Sequence, residues 1–158
     1  MKKYEFTGET KRVELWNRTA TLHRIKATVE FGFVKVGELG GWIEKEENLS
    51  HEGKAWVWGN AEVCGDAEVW GNAKVCGDAK VFLASHVLVM GSVGSRNDFT
   101  TFFRDKDNEI TVKCGCFLGK IDKFLEKVTQ THGNNKYALV YRAAVEVAKL
   151  QIELTERK

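Results

Sequence analysis

The densest polar run in this 158-residue chain is Gly94-Ser95-Arg96-Asn97-Asp98, followed by Thr100-Thr101 and Arg104. Gly and Ser leave backbone N–H groups open, and clustered N–H groups attract anions. A guanidinium such as that of Arg96 can grip a phosphate through two parallel hydrogen bonds. The hydroxyls add further donors. Ser95, Arg96, Asn97, Asp98, Thr100, Thr101 and Arg104 are therefore the candidate contacts for a small anionic, nucleotide-like ligand. Lys136 and Arg142 join them if the fold brings them there, and Trp42, Trp58 or Trp70 could stack a base. The same run also reads as a plain turn, with Asn97 and Asp98 capping local backbone and Arg96 paired to Asp98.

Cys114 and Cys116 are two residues apart, on one side of a strand, and His132 follows. A zinc site wants four ligands, and its cysteines usually come as C-x₂₋₄-C. A C-x-C pair with one His falls short of that, so the thiols read as structural and no metal is expected. There is no Ser-His-Asp order and no phosphate-loop motif. The chain reads as a binding protein rather than an enzyme, with no cofactor.

The elements that must position these residues announce themselves as a repeat. From Gly53 to Gly94 the chain runs through seven six-residue units. Val recurs at 57, 63, 69, 75, 81, 87 and 93, and a small residue stands two before each: Ala55, Ala61, Ala67, Ala73, Ala79, Ser85 and Gly91. Val and that small residue share one side of a short strand. The residue between them should point outward: Trp56, Glu62, Glu68, Lys74, Lys80 and His86. Gly59-Asn60, Gly65-Asp66, Gly71-Asn72 and Gly77-Asp78 supply the corners, since these residue types tolerate left-handed backbone. A period of six does not suit a helix, and Gly every sixth residue would cost ~1 kcal/mol each time.

This pattern resembles the hexapeptide-repeat, left-handed parallel β-helix family, in which three hexads make one triangular coil. The resemblance implies a mainly β chain: a short left-handed parallel β-helix with an N-terminal β cap and a C-terminal β-hairpin plus two helices. Stacking every 18 residues would place Trp58 over Cys76, Cys64 over Phe82, Trp70 over Leu88, Glu62 over Lys80 and Glu68 over His86. Trp58, Trp70 and Phe82 would then form an apolar outer column, too large to leave bare on a monomer. That column is the expected face for self-association, as a trimer or dimer, or for a partner protein.

The flanks divide the chain into residues 1–50, strands capping the solenoid; 51–94, the hexads; and 95–158, a small α+β unit. In the first, 4–6, 21–27 and 33–36 alternate by two. In the last, 99–103 and 110–114 read as a hairpin turning at Asp105-Lys106-Asp107-Asn108. Apolar spacing predicts helices over 120–131 and 135–155, with a frayed tail at 156–158.

The whole chain is also similar to hexapeptide-repeat proteins of phages and prophages. The likeness rests on the start at residues 4–9, Gly40-Gly41-Trp42-Ile43-Glu44, the run 94–98, Thr100-Thr101-Phe102-Phe103, Cys114-Gly115-Cys116-Phe117 and His132-Gly133. It implies a mobile-element setting, and so a nucleotide-type signal of host defence as ligand, or a host defence protein as target. The best-known activity on hexapeptide coils is acyl transfer, for which His86 or His51 would be the general base.

Composition narrows the rest. Lys+Arg number 24 and Asp+Glu 22, for a net charge of +2. That balance argues against a nucleic-acid partner. No apolar run approaches ~18 residues, which argues against a membrane span. The N-terminal segment turns polar too early for a signal peptide, so a cytoplasmic setting in the host cell is expected.

Overall fold

The structure, a computed structural model, describes residues 2–154. Thr155 and the tail expected at 156–158 lie outside the described residues.

Two long strands, β1 (Tyr4–Glu14) and β2 (Thr19–Ala27), pair antiparallel with an irregular register between Phe6 and Thr10; β2 buries Ala20, Leu22, Ile25 and Ala27, while β1 buries Tyr4 and is otherwise mostly exposed. Gly8 in that interval has φ +97°, a backbone state that lets β1 bulge there. β3 (Leu39–Ile43) joins β2, also antiparallel. The segment 33–36, expected as a strand, contributes only an isolated bridge from Val34 to Phe31.

The hexads then give four two-residue strands: β4 (Trp56–Val57), β5 (Glu62–Val63), β6 (Lys74–Val75) and β7 (Lys80–Val81). β4 pairs with β6 and β5 with β7, each parallel and with an 18-residue offset, as in Glu62↔Lys80. Trp58 N–H donates to Val75 C=O at 2.8 Å and Cys64 N–H to Val81 C=O at 2.9 Å.

The parallel left-handed β-helix expected from the repeat is not the architecture. Parallel pairing is confined to short stretches, and the strands are shared among three sheets. One is a mixed five-stranded sheet in the order β1-β2-β3-β5-β7, one is antiparallel with four strands, and one is the β4-β6 pair. The cause is visible in the repeat. Corner glycines from Gly53 to Gly77 have φ between +57° and +71°, but the next two hexads begin with Leu83 and Val89. Without a corner glycine the chain makes a 3₁₀ turn at Ala84–His86 and runs on as one seven-residue strand, β8 (Val87–Val93). β8 pairs antiparallel with β9 (Asp98–Arg104), β9 with β10 (Ile110–Cys114), and β10 with β11 (Phe117–Lys120).

Helices α1 (Ile121–His132) and α2 (Lys136–Gln151) follow. Gly133, with φ +61°, ends α1, and the Asn135 side chain caps α2 by accepting from Ala138 N–H at 3.1 Å.

Three buried clusters result, and β9 separates the two larger ones. The hexad Val and Ala residues, Trp56 and Phe103 form the first core. Phe102, the next-door residue of β9, faces the second, with Val112, Phe124, Tyr141 and Val145. The between-Val residues expected outside are partly covered. Trp56 is fully buried, and Glu62 is buried under the N-terminal strands between Lys11 (2.6 Å) and Lys80 (2.9 Å). No helix among the described residues is long and apolar enough to cross a membrane.

Candidate ligand cavity

Three turns meet at one end of the antiparallel sheet. The β8–β9 turn carries Gly94 at φ +81° and Asn97 at φ +49°, and the Ser92 hydroxyl donates to the Asn97 carbonyl. The β10–β11 turn is closed by Cys114↔Phe117, with Gly115 at φ +57°. The third is the end of α1 at His132. Between them lies a cavity of about 360 Å³, within the usual range for small-molecule sites.

Ser95, Arg96 and Asp98 line it from the first turn, and Cys114, Cys116 and Phe117 from the second. Helix α1 presents Phe124, Lys127, Val128, Thr131 and His132, whose i, i+3, i+4, i+7, i+8 spacing puts them on one face. Tyr141 closes the side formed by α2. A Cβ built at Gly94 would collide with the Tyr141 hydroxyl, so glycine is what lets the turn settle over that ring. Burial pushes the Tyr141 phenol up to about 12, helped by the neighbouring Cys114 and Asp98. It is therefore a neutral hydrogen-bond donor at physiological pH. His132 stacks on Tyr141, centroids 5.9 Å apart and planes 26° apart, and Phe124 meets Tyr141 edge-on at 5.6 Å. The cavity thus has an aromatic wall and two fixed cations, Arg96 and Lys127, against one carboxylate, Asp98. Among the described residues Arg96 and Asp98 are not joined in an ion pair with each other. Asp98 instead accepts from Phe99 N–H at 2.7 Å.

The remaining sequence candidates go elsewhere. Asn97 is exposed at the turn apex. Thr100 is buried and donates to Cys114 Sγ at 3.4 Å. Thr101 accepts from Lys74 N–H at 3.0 Å, tying β9 to the hexads. Arg104 is 5% exposed; it donates to Lys80 C=O and Asn108 and lies 5.2 Å over the Phe82 ring. Thr100, Thr101 and Arg104 hold sheets together and do not line the cavity. Arg142 donates to Asn134, Thr129 and the Gly133 carbonyl at the end of α1, and the Lys136 ammonium lies over Tyr137.

The outer aromatic column is broken up. Phe82 is buried with Leu22, Trp42 and Cys64 beneath β2 and β3. Trp58 packs half-buried on the hexad core, and Trp70 alone of the three is open, 52% exposed. His86, expected outside, is fully buried, and its Nδ1 accepts from Phe82 and Leu83 N–H. Burial, with Arg104 beside it, lowers its pKa to about 4. His51 is stacked on Tyr4 at 4.0 Å, accepts from Lys3 N–H and contacts Glu46. Neither histidine is placed as a general base for acyl transfer.

All four cysteines are unpaired. Cys114, Cys116 and His132 do reach one cavity, but among the described residues no group of three or more His, Cys, Asp or Glu side chains could hold a metal ion.

Sequence reasoning passed over Lys127, Thr131, Phe117, Phe124 and Tyr141. Phe124 and Tyr141 look like ordinary helical core positions, and only the packing shows that one edge of that core is open. No protein-family model matches the chain, and no curated protein matches it.

Proposed function

We propose that the chain is a non-catalytic binding protein of a phage or prophage. Its cavity takes up a small anionic, nucleotide-type ligand and withholds it as a signal of host defence. The observation that carries this reading is the meeting of Arg96 and Lys127 with the Tyr141–His132 aromatic wall in one cavity of about 360 Å³. Arg96 and Lys127 suit a phosphate, Ser95 and the Tyr141 hydroxyl add neutral donors, and a flat base suits a ring face. The phage setting rests on the resemblance in the sequence.

Isothermal titration with adenine and guanine nucleotides tests it, followed by denaturation and mass analysis of the released ligand. Binding of one nucleotide per chain, weakened about tenfold or more by Arg96→Ala and by Lys127→Ala, with the ligand released unchanged, is the expected result. Conversion of the ligand would overturn the non-catalytic part. Absence of binding, or binding indifferent to both substitutions, would move the function to a protein target.

A further inference from the structure

We infer that the outer face of α2 binds a second copy of the chain, the two α2 helices packing antiparallel about a two-fold axis. The inner face of this helix, Ala138, Tyr141, Ala144, Val145 and Ala148, is buried in the second core. The opposite face carries Leu139, Ala143, Val147 and Leu150. At 3.6 residues per turn these four fall within an arc of roughly 80°. Leu139, Val147 and Leu150 are 61%, 44% and 87% exposed. None of the four lines the cavity, so the inference does not rest on the ligand-binding reading.

Charge and size decide both the occupant and its direction. Arg142 and Glu146 sit one turn apart along one edge of the stripe. Among the described residues Arg142 meets only neutral acceptors, Asn134, Thr129 and the Gly133 carbonyl. Among the described residues Glu146 pairs only with Lys149, at 3.7 Å. With the axis between Ala144 and Val145, Leu139 lies level with the partner's Leu150. Arg142 then lies within one residue's rise, about 1.5 Å, of the partner's Glu146, and the small Ala143 within the same distance along the axis of the partner's Val147. One patch is thus complementary to itself, as a two-fold interface requires. A parallel arrangement would instead set Arg142 against Arg142 and Glu146 against Glu146, which disfavours it.

Sedimentation equilibrium of the full chain tests the inference, with circular dichroism to confirm that each variant keeps its helices. The expected mass is that of two chains. Leu150→Asp, a change at an exposed position, should reduce it to one. Glu146→Arg should weaken the dimer about tenfold or more, and adding Arg142→Glu should restore it, because the swapped pair is again complementary. A single-chain mass for the unaltered protein at every concentration would overturn the inference. So would a trimer, or an assembly that survives both Leu150→Asp and Glu146→Arg.

Discussion

The hexad core and the helical end of the molecule are built by different rules. Between Gly53 and Phe82 the inward positions are Val or Ala in strict order, all buried, and the chain turns wherever Gly recurs. Backbone approaches are so close that a Cβ at Gly65 would strike the Phe82 carbonyl. The interior of such a region has no room for a ligand. From Val87 onward no repeat operates. Strands are longer, helices cross them, and the aromatic Phe117, Phe124 and Tyr141 meet at angles that leave a cavity. Regular small-residue packing gives a rigid base, while irregular packing of large rings gives an opening with chemistry in its walls.

Substitutions should separate the two regions. The largest effect belongs to Phe103→Ala, which empties a fully buried site in the hexad core. It should cost about 3–5 kcal/mol in chemical denaturation, while any ligand affinity of the folded fraction stays as it was. A loss of affinity equal to the loss of stability would mean that the regions are not separable.

Acid should act next, on the boundary. His86 is neutral in the fold, with its pKa lowered from 6.5 to about 4, so the unfolded chain takes up protons first as pH falls. Stability is complete above about pH 6.5 and declines towards pH 4, by about 1–3 kcal/mol. Thermal melts across that window in the parent and in His86→Leu check it. The variant should lose this pH slope, and its Phe82 and Leu83 N–H groups should lose their acceptor.

The hairpin lock is expected to be weaker still. Burial alone would raise the pKa of Asp105, yet the Lys120 ammonium and Thr111 hydroxyl outweigh it and hold the carboxyl below its ordinary value. Its contribution is present above the unfolded value of 3.8 and is lost as pH falls through the folded one. Asp105→Asn should destabilise by about 1–2 kcal/mol at neutral pH, a difference that urea melts would resolve.

The smallest effect on stability belongs to Arg96→Ala, at an exposed turn position. It should change unfolding free energy by no more than about 0.5 kcal/mol, while nucleotide affinity falls. Arg96→Ala destabilising the chain as much as Asp105→Asn would assign Arg96 to the scaffold instead.

Residue order alone determined several things. Local periodicity set the Val and Ala interior, the hairpin expected at 99–103 and 110–114, and both helices. Each of these depends on spacing along the chain and little else, whereas the 18-residue offset of the short parallel pairs is what the hexapeptide resemblance implies. The point where the repeat fails was not legible: Val87 and Val93 keep the period of six, so the expected repeat ran on to Gly94 past the missing corner glycines at Leu83 and Val89. Only the tertiary structure decided what that failure leads to. β8 pairs backwards with β9 rather than stacking on the preceding hexads, and β1–β2 cover Phe82 and Glu62. The turn holding Ser95, Arg96 and Asp98 is brought opposite Lys127 and His132. Those outcomes depend on contacts between segments tens of residues apart, where burial of apolar surface chooses the partner and a repeat pattern carries no information about it.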